Sequence, residues 1–194
     1  MRTIPRAPAR LRLAIERLWN GAPCDLPIRG AVELGVLGDA LLLRASLAQP
    51  GAPRVPGAPP GTRVDGLWEY DVVECFLVGA GGRYLELELG AAGHWLALSF
   101  AAPRVRADAH ETLALAVEHG REPGGWWARV ALPLAVLPPG LCAANAFAIA
   151  GGRFLAHHPV PGTTPDFHQP ATFPLLTKGS DPVVKKRPGG GNQA

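Results

Sequence analysis

The stretch DVVECFLVGAGGRYLELELGAAGHWLALSF, residues 71–100, decides the fold. DVVECFLV (71–78) and RYLELELG (83–90) are two short runs of β-favouring residues joined by Gly79, Gly81 and Gly82, which predicts a hairpin. HWLALSF (94–100) predicts a third strand after the Ala92–Gly93 turn. Successive side chains of a strand point to opposite faces, so Val73, Cys75 and Leu77 share one face and Val72, Glu74 and Phe76 the other. On the next strand Leu85, Leu87 and Leu89 oppose Tyr84, Glu86 and Glu88. Pairing the two strands sends the leucines to the core and collects Glu74, Tyr84, Glu86 and Glu88 around Phe76. Carboxylates sharing a face repel one another unless cations, donors or solvent relieve them. Two readings stand: the solvated outer side of a sheet, or a concave face that accepts hydrogen bonds from a polyhydroxyl ligand or coordinates a hard cation such as Ca²⁺.

Outward from this block the same pattern repeats. LRLAIERLW (11–19) alternates like a half-buried strand, with a short helix as the alternative, and AVELGVLGDALLLRASL (31–47) fits two strands joined at Gly38–Asp39. TLALAVEH (112–119), GWWARVALPL (125–134) and two runs around Gly151–Gly152 follow, with a helical turn at most in 134–141. The count is roughly nine or ten short strands, which predicts an all-β fold, a β-sandwich or barrel. Residues 1–10 read as a flexible Pro/Arg arm, 11–177 as one domain and 178–194 as a disordered basic tail. Residues 49–66 form a long Pro/Gly loop without periodicity, the kind that is often functional. Trp68, Glu69, Tyr70 and Asp71 follow it directly.

The chain has 194 residues, 47% hydrophobic and 18% charged, enough apolar material for a full core. Its net charge of +3 comes from the ends. Arg2, Arg6, Arg10, Arg12 and Arg17 face only Glu16 near the start, and every lysine (Lys178, Lys185, Lys186) lies in the tail. The body between is net acidic, which argues against nucleic-acid binding. No apolar run is long enough to span a membrane. Cys24, Cys75 and Cys142 are odd in number and lack metal spacing. With no secretory apolar region behind the first arginines, a reduced cytoplasmic protein without a cofactor is the expectation.

Signatures of catalysis are missing: there is no GxSxG, HExxH or P-loop. His157, His158, Asp166 and His168 cluster late, and PDFH (165–168) sets Asp166 and His168 on one side of an extended segment. They fit either a hydrogen-bonded loop lock or a His/carboxylate metal site.

The block LWEYDVVECFL (67–77), the following YLELELGAAGHWLAL (84–98) and the late HPVP, PDFH and Phe173 resemble a family of bacteria and animals. That family falls in the DOMON-like group, related to the family 9 carbohydrate-binding modules. The shared pattern is an acidic residue, Val-Glu-x-Phe, Tyr-x-Glu and a small-residue turn with Gly. It falls here on Asp71, Val73–Glu74, Phe76, Tyr84, Glu86 and Gly93. IERLWNG (15–21) resembles the opening strand and turn, so the likeness spans about residues 11–175.

The resemblance implies a β-sandwich that binds a carbohydrate or similar small polar ligand without catalysis. Family 9 modules hold sugars between Trp rings, and some bind Ca²⁺. Trp68 is the first candidate here for such a platform, Trp126 or Trp127 the next. The expected site is Trp68, Glu69, Tyr70, Asp71, Glu74, Tyr84 and Glu86, closed on one side by Asp166 and His168. Two alternatives remain. One is a carboxylate-dependent glycoside hydrolase using Glu74 with Glu86 or Glu88. The other is a protein-interaction domain that offers an acidic-aromatic strip to a basic partner.

Overall fold

The computed structural model describes residues 3–176. Twelve strands form two antiparallel sheets packed as a β-sandwich. The five-stranded sheet runs β1 (Leu11–Ile15), β3 (Arg29–Leu37), β4 (Ala40–Ala48), β10 (Gly125–Pro133) and β9 (Glu118–Glu122). The seven-stranded sheet begins with β2 (Arg17–Leu18), β12 (Arg153–Ala156), β11 (Ala143–Ala150) and β5 (Val72–Val78). It continues with β6 (Tyr84–Gly90), β7 (Trp95–Ala102) and β8 (Val105–Asp108).

The predicted hairpin is present, with Cys75 opposite Leu87 and Leu77 opposite Leu85. Leu85, Leu87 and Leu89 are fully buried between the sheets against Leu34, Leu43 and Trp126. Each leucine contributes about 2 kcal/mol relative to exposure. Gly93 closes the β6–β7 turn at φ +78°, and a Cβ there would meet the His119 ring at 2.5 Å, so glycine is required twice over.

The differences from expectation have local causes. LRLAIERLW is not one strand: the chain breaks at Glu16, and β1 and β2 join opposite sheets. In TLALAVEH the alternation of Leu113, Leu115 and Val117 reports burial alone, for pairing begins only at Glu118. β8 escaped because all four of its residues are exposed and carry no apolar alternation. The Pro/Arg arm is tied to β3 at its inner end, where Val36 N donates to Pro5 O and Ala7 N donates to Val36 O. The basic tail from Lys178 onward lies outside the described residues.

Most important for function, the outer face of the seven-stranded sheet is not a wet surface. Leu67 and the segment from Val160 to Phe173 lie over it and bury a second apolar cluster with Phe76, Tyr84, Phe100 and Phe147. Phe167 stacks on Phe147 at a centroid distance of 4.0 Å, and Phe173 meets Phe76 edge-on at 5.8 Å. The solvated-face reading of Glu74, Glu86 and Glu88 is therefore corrected: all three are buried.

Candidate functional site

The cover leaves a cavity of about 570 Å³ on this outer face. Strand alternation builds its floor. Glu74 comes from β5 and Glu86 from β6, and the register sets Glu86 beside Leu98 and Tyr84 beside Phe100 on β7. Arg104 and Arg106, at the β7–β8 turn and on β8, line one side. Ile149 of β11, Phe154 of β12 and the segment Pro165–His168 line another. Trp68 lines it too, on the single 3₁₀ turn Leu67–Glu69; Leu67 anchors that turn in the interior while Trp68 stays 41% exposed.

The electrostatics follow from burial. Desolvation pushes the Glu74 carboxyl well above its ordinary range, and neighbouring Glu86 adds to the rise. Desolvation lifts Glu86 to about 7 against the pull of Arg106 and Arg104. Glu88, opposite Glu74 in the register, is raised by burial and by both other glutamates. Among the described residues neither Glu88 oxygen has a hydrogen-bond partner. Burial lowers His168 to about 4, with Arg104 reinforcing the effect. Its Nε2 lies 3.9 Å from Glu86 Oε2, too far for a hydrogen bond. With the imidazole neutral above about 4 and the carboxyl neutral below about 7, the two are not both charged anywhere between.

The sequence-predicted residues divide into two groups. Trp68, Glu74, Glu86, Asp166 and His168 meet at the cavity. Glu69, Tyr70, Asp71 and Tyr84 are not among its lining residues. Glu69 is exposed, and Tyr70 packs against the outer apolar cluster. Asp71 is buried and clamps the long loop, accepting from Gln49 Nε2 at 2.6 Å and from Arg54 N at 3.1 Å. Tyr84 supports the site from behind through its hydroxyl, 2.7 Å from His168 Nδ1. Asp166 holds the lid in place, accepting from Arg104 Nη2 at 2.8 Å and His168 N at 3.0 Å.

Arg104 and Arg106 were missed, although two arginines at strand spacing in PRVRAD (103–108) carried the signal. Of the tryptophan pair, Trp126 is core and Trp127 lies on the outer side of the other sheet between Arg44 and Arg129. Of the other late histidines, His157 Nδ1 is bonded to Ala14 O, and the backbone N of His158 donates to Asn145 Oδ1. Among the described residues no group of three or more His, Cys, Asp or Glu is arranged to hold a metal ion.

One Ser/His/Asp arrangement lies apart from the cavity. Ser99 Oγ is 2.7 Å from His110 Nε2, but His110 Nδ1 is 3.5 Å from the solvent-exposed Asp108. That is too long to fix an imidazole for catalysis. With His110 N donating to Asp108 Oδ1, the trio closes the end of β8.

No protein-family model matches the chain. Against curated proteins it is 30% identical over 176 residues to the UPF0462 protein C4orf33 homolog of Danio rerio, covering 84% of this chain and 87% of the relative. The chain belongs to the UPF0462 family. The human member, UPF0462 protein C4orf33, is 31% identical over 166 residues, covering 79% of this chain and 81% of the relative.

Solved structures share the fold. A candidate carbohydrate-binding protein from Bacteroides uniformis superposes with a TM-score of 0.69 at 18% identity, covering 91% of this chain and 97% of that one. A family 9 carbohydrate-binding module from Caldicellulosiruptor kristjanssonii, in complex with cellotriose, gives 0.60 at 15% identity, covering 96% and 99%. At such identities the likeness fixes the sandwich and nothing finer. Among the described residues no helix is long and apolar enough to cross a membrane.

Proposed function

We propose that this UPF0462 chain is a non-catalytic binding module for a carbohydrate or similar small polar ligand, seated in the outer-face cavity. The observation that carries this reading is the make-up of that cavity. Its floor offers carboxyl groups that no described side chain or backbone group hydrogen-bonds, its sides combine aliphatic and aromatic side chains with Arg104 and Arg106, and Trp68 stands half-exposed beside it. Carboxyls can exchange hydrogen bonds with hydroxyls while apolar walls cover the C–H faces of a ring. The fold likeness to family 9 modules solved with cellotriose and glucose supports it. A place in the DOMON-like group belongs to the same proposal, as does a reduced cytoplasmic setting, which the three free cysteines support. A glycan array followed by thermal-shift titration tests the reading. A sugar-dependent rise in melting temperature is expected, and no response to any sugar would remove its support.

One observation favours a second reading, a carboxylate-dependent glycoside hydrolase. Glu86 sits near 7 beside Glu74 in a cavity, where a general acid belongs. Acid–base catalysis needs two groups pushed apart, however, and here both glutamates are pushed the same way. Turnover of nitrophenyl glycosides that disappears in Glu74→Gln would establish the enzyme instead. Nothing favours a surface strip for a basic protein partner, since Glu74, Glu86 and Glu88 are covered.

A further inference from the structure

The glutamate floor singles out one class within the small polar ligands. Glu74 and Glu88 face each other across β5 and β6, and Glu86 lies one pleat further along the same face. Directly opposed side chains in such a pair have Cβ atoms about 5 Å apart; Glu74 and Glu86 line the cavity, while Glu88, fully buried opposite Glu74, does not. Among the described residues no hydrogen bond reaches Glu74, and both oxygens of Glu88 are unpartnered. A buried acceptor left without a donor is costly, and the buried carboxyls of Glu74 and Glu86 on the cavity floor are a demand for donors.

We propose that the cavity floor receives a primary ammonium group, so that the preferred ligand is an amine-bearing polar molecule such as an amino sugar. This rests on the binding-module reading above. An ammonium brings three N–H donors and the opposite charge into one compact group, which hydroxyls cannot match. Arg104 and Arg106 oppose it weakly, because both are exposed and Arg104 is already paired with Asp166. Neutral His168, and Tyr84 behind it, add no charge. Because burial favours the protonated forms of Glu74 and Glu86 in the empty cavity, ammonium binding displaces protons from them into solvent.

Calorimetric titration at neutral pH with D-glucosamine, N-acetyl-D-glucosamine, D-glucose and ethanolamine tests this, repeated in buffers of different ionisation enthalpy. Glucosamine is expected to bind about tenfold or more tighter than glucose and the N-acetyl sugar, with net proton release. Glu74→Gln and Glu86→Gln, each checked for a cooperative melt, should erase that preference. Equal affinity for glucose and glucosamine, or tighter binding of the N-acetyl sugar, overturns the inference and leaves the carbohydrate reading standing. Binding of glucosamine and ethanolamine without glucose upholds it and narrows the ligand to amines. Silence from both amines overturns it.

Discussion

The Tyr84 hydroxyl and Nδ1 of His168 lie 2.7 Å apart, joining the floor strand β6 to the segment that covers it. The same hydroxyl accepts from Arg104 N at 3.1 Å. With one lone pair so engaged, the phenol is expected to give its own proton to Nδ1, which leaves the hydrogen of His168 on Nε2, facing Glu86. Tyr84→Phe keeps the ring stacked on Phe100 but strips both polar partners. A loss of about 1–2 kcal/mol is expected, read as a lower melting temperature. Nitrogen NMR of His168 should show the Nε2–H tautomer in the native chain. An Nδ1–H imidazole would contradict this network.

The cavity also sets how stability changes with pH. Glu86 has its folded value raised to about 7 from 4.5, so from 4.5 upward the folded state holds a proton that the unfolded chain has lost. Stability must then fall as pH rises through that window, by about 3 kcal/mol for Glu86 once pH 7 is passed. Glu74 and Glu88 act in the same direction. His168 works against them: lowered from 6.5 to about 4, it makes the unfolded state the better proton binder in between, so its contribution grows with pH. Three acids outweigh one base, and the melting temperature should fall between pH 5 and 7. Glu88→Gln should flatten that slope and raise stability at neutral pH. A slope unchanged in the variant would show that Glu88 is not the buried acid described.

Trp68 supplies a cleaner separation of binding from folding. Its neighbour Leu67 anchors the turn in the interior, while the indole is 41% exposed beside the cavity. Trp68→Ala should weaken any ligand that raises the melting temperature of the native chain by about tenfold or more, as loss of an aromatic contact residue does. The unliganded chain should lose no more than about 1 kcal/mol. Undiminished binding would move the site elsewhere.

How much of this could be read beforehand depended on the kind of signal. Period-two alternation placed the leucines of β6 in the core and the glutamates on the other side, and both held. Alternation says which face a residue takes but not what lies over that face. The cover comes from residues some 70–100 positions later, an irregular stretch whose Phe167 and Phe173 have no period to announce them. Hence exposed and buried glutamates looked alike, and Arg104 in the β7–β8 turn and Arg106 on an exposed edge strand passed unnoticed. Asp71 was legible as important but not in its role, because its partners Gln49 and Arg54 lie at the start of the long loop.

That clamp carries the last expectation. Asp71 is 2% exposed and accepts from Gln49 Nε2, Arg54 N and Arg54 Nε, so one carboxylate ties down the beginning of the 49–66 loop. Further along, Val64 N donates to Trp95 O and His94 Nε2 meets Ala58 O, so the loop is held at intervals along its length. Asp71→Ala removes the acceptor and leaves the buried Gln49 amide and the Arg54 N–H without a partner, at a cost of about 2–3 kcal/mol. The loss should be local first, because Asp71 lies off the inter-sheet core. Limited proteolysis should cut the variant within 49–66 under conditions that leave the native chain whole. Glucosamine or glucose affinity should fall far less than in Trp68→Ala, since Asp71 does not line the cavity. If Asp71→Ala abolished binding while the loop stayed protease-resistant, Asp71 would be a ligand contact after all and the clamp would not be its role.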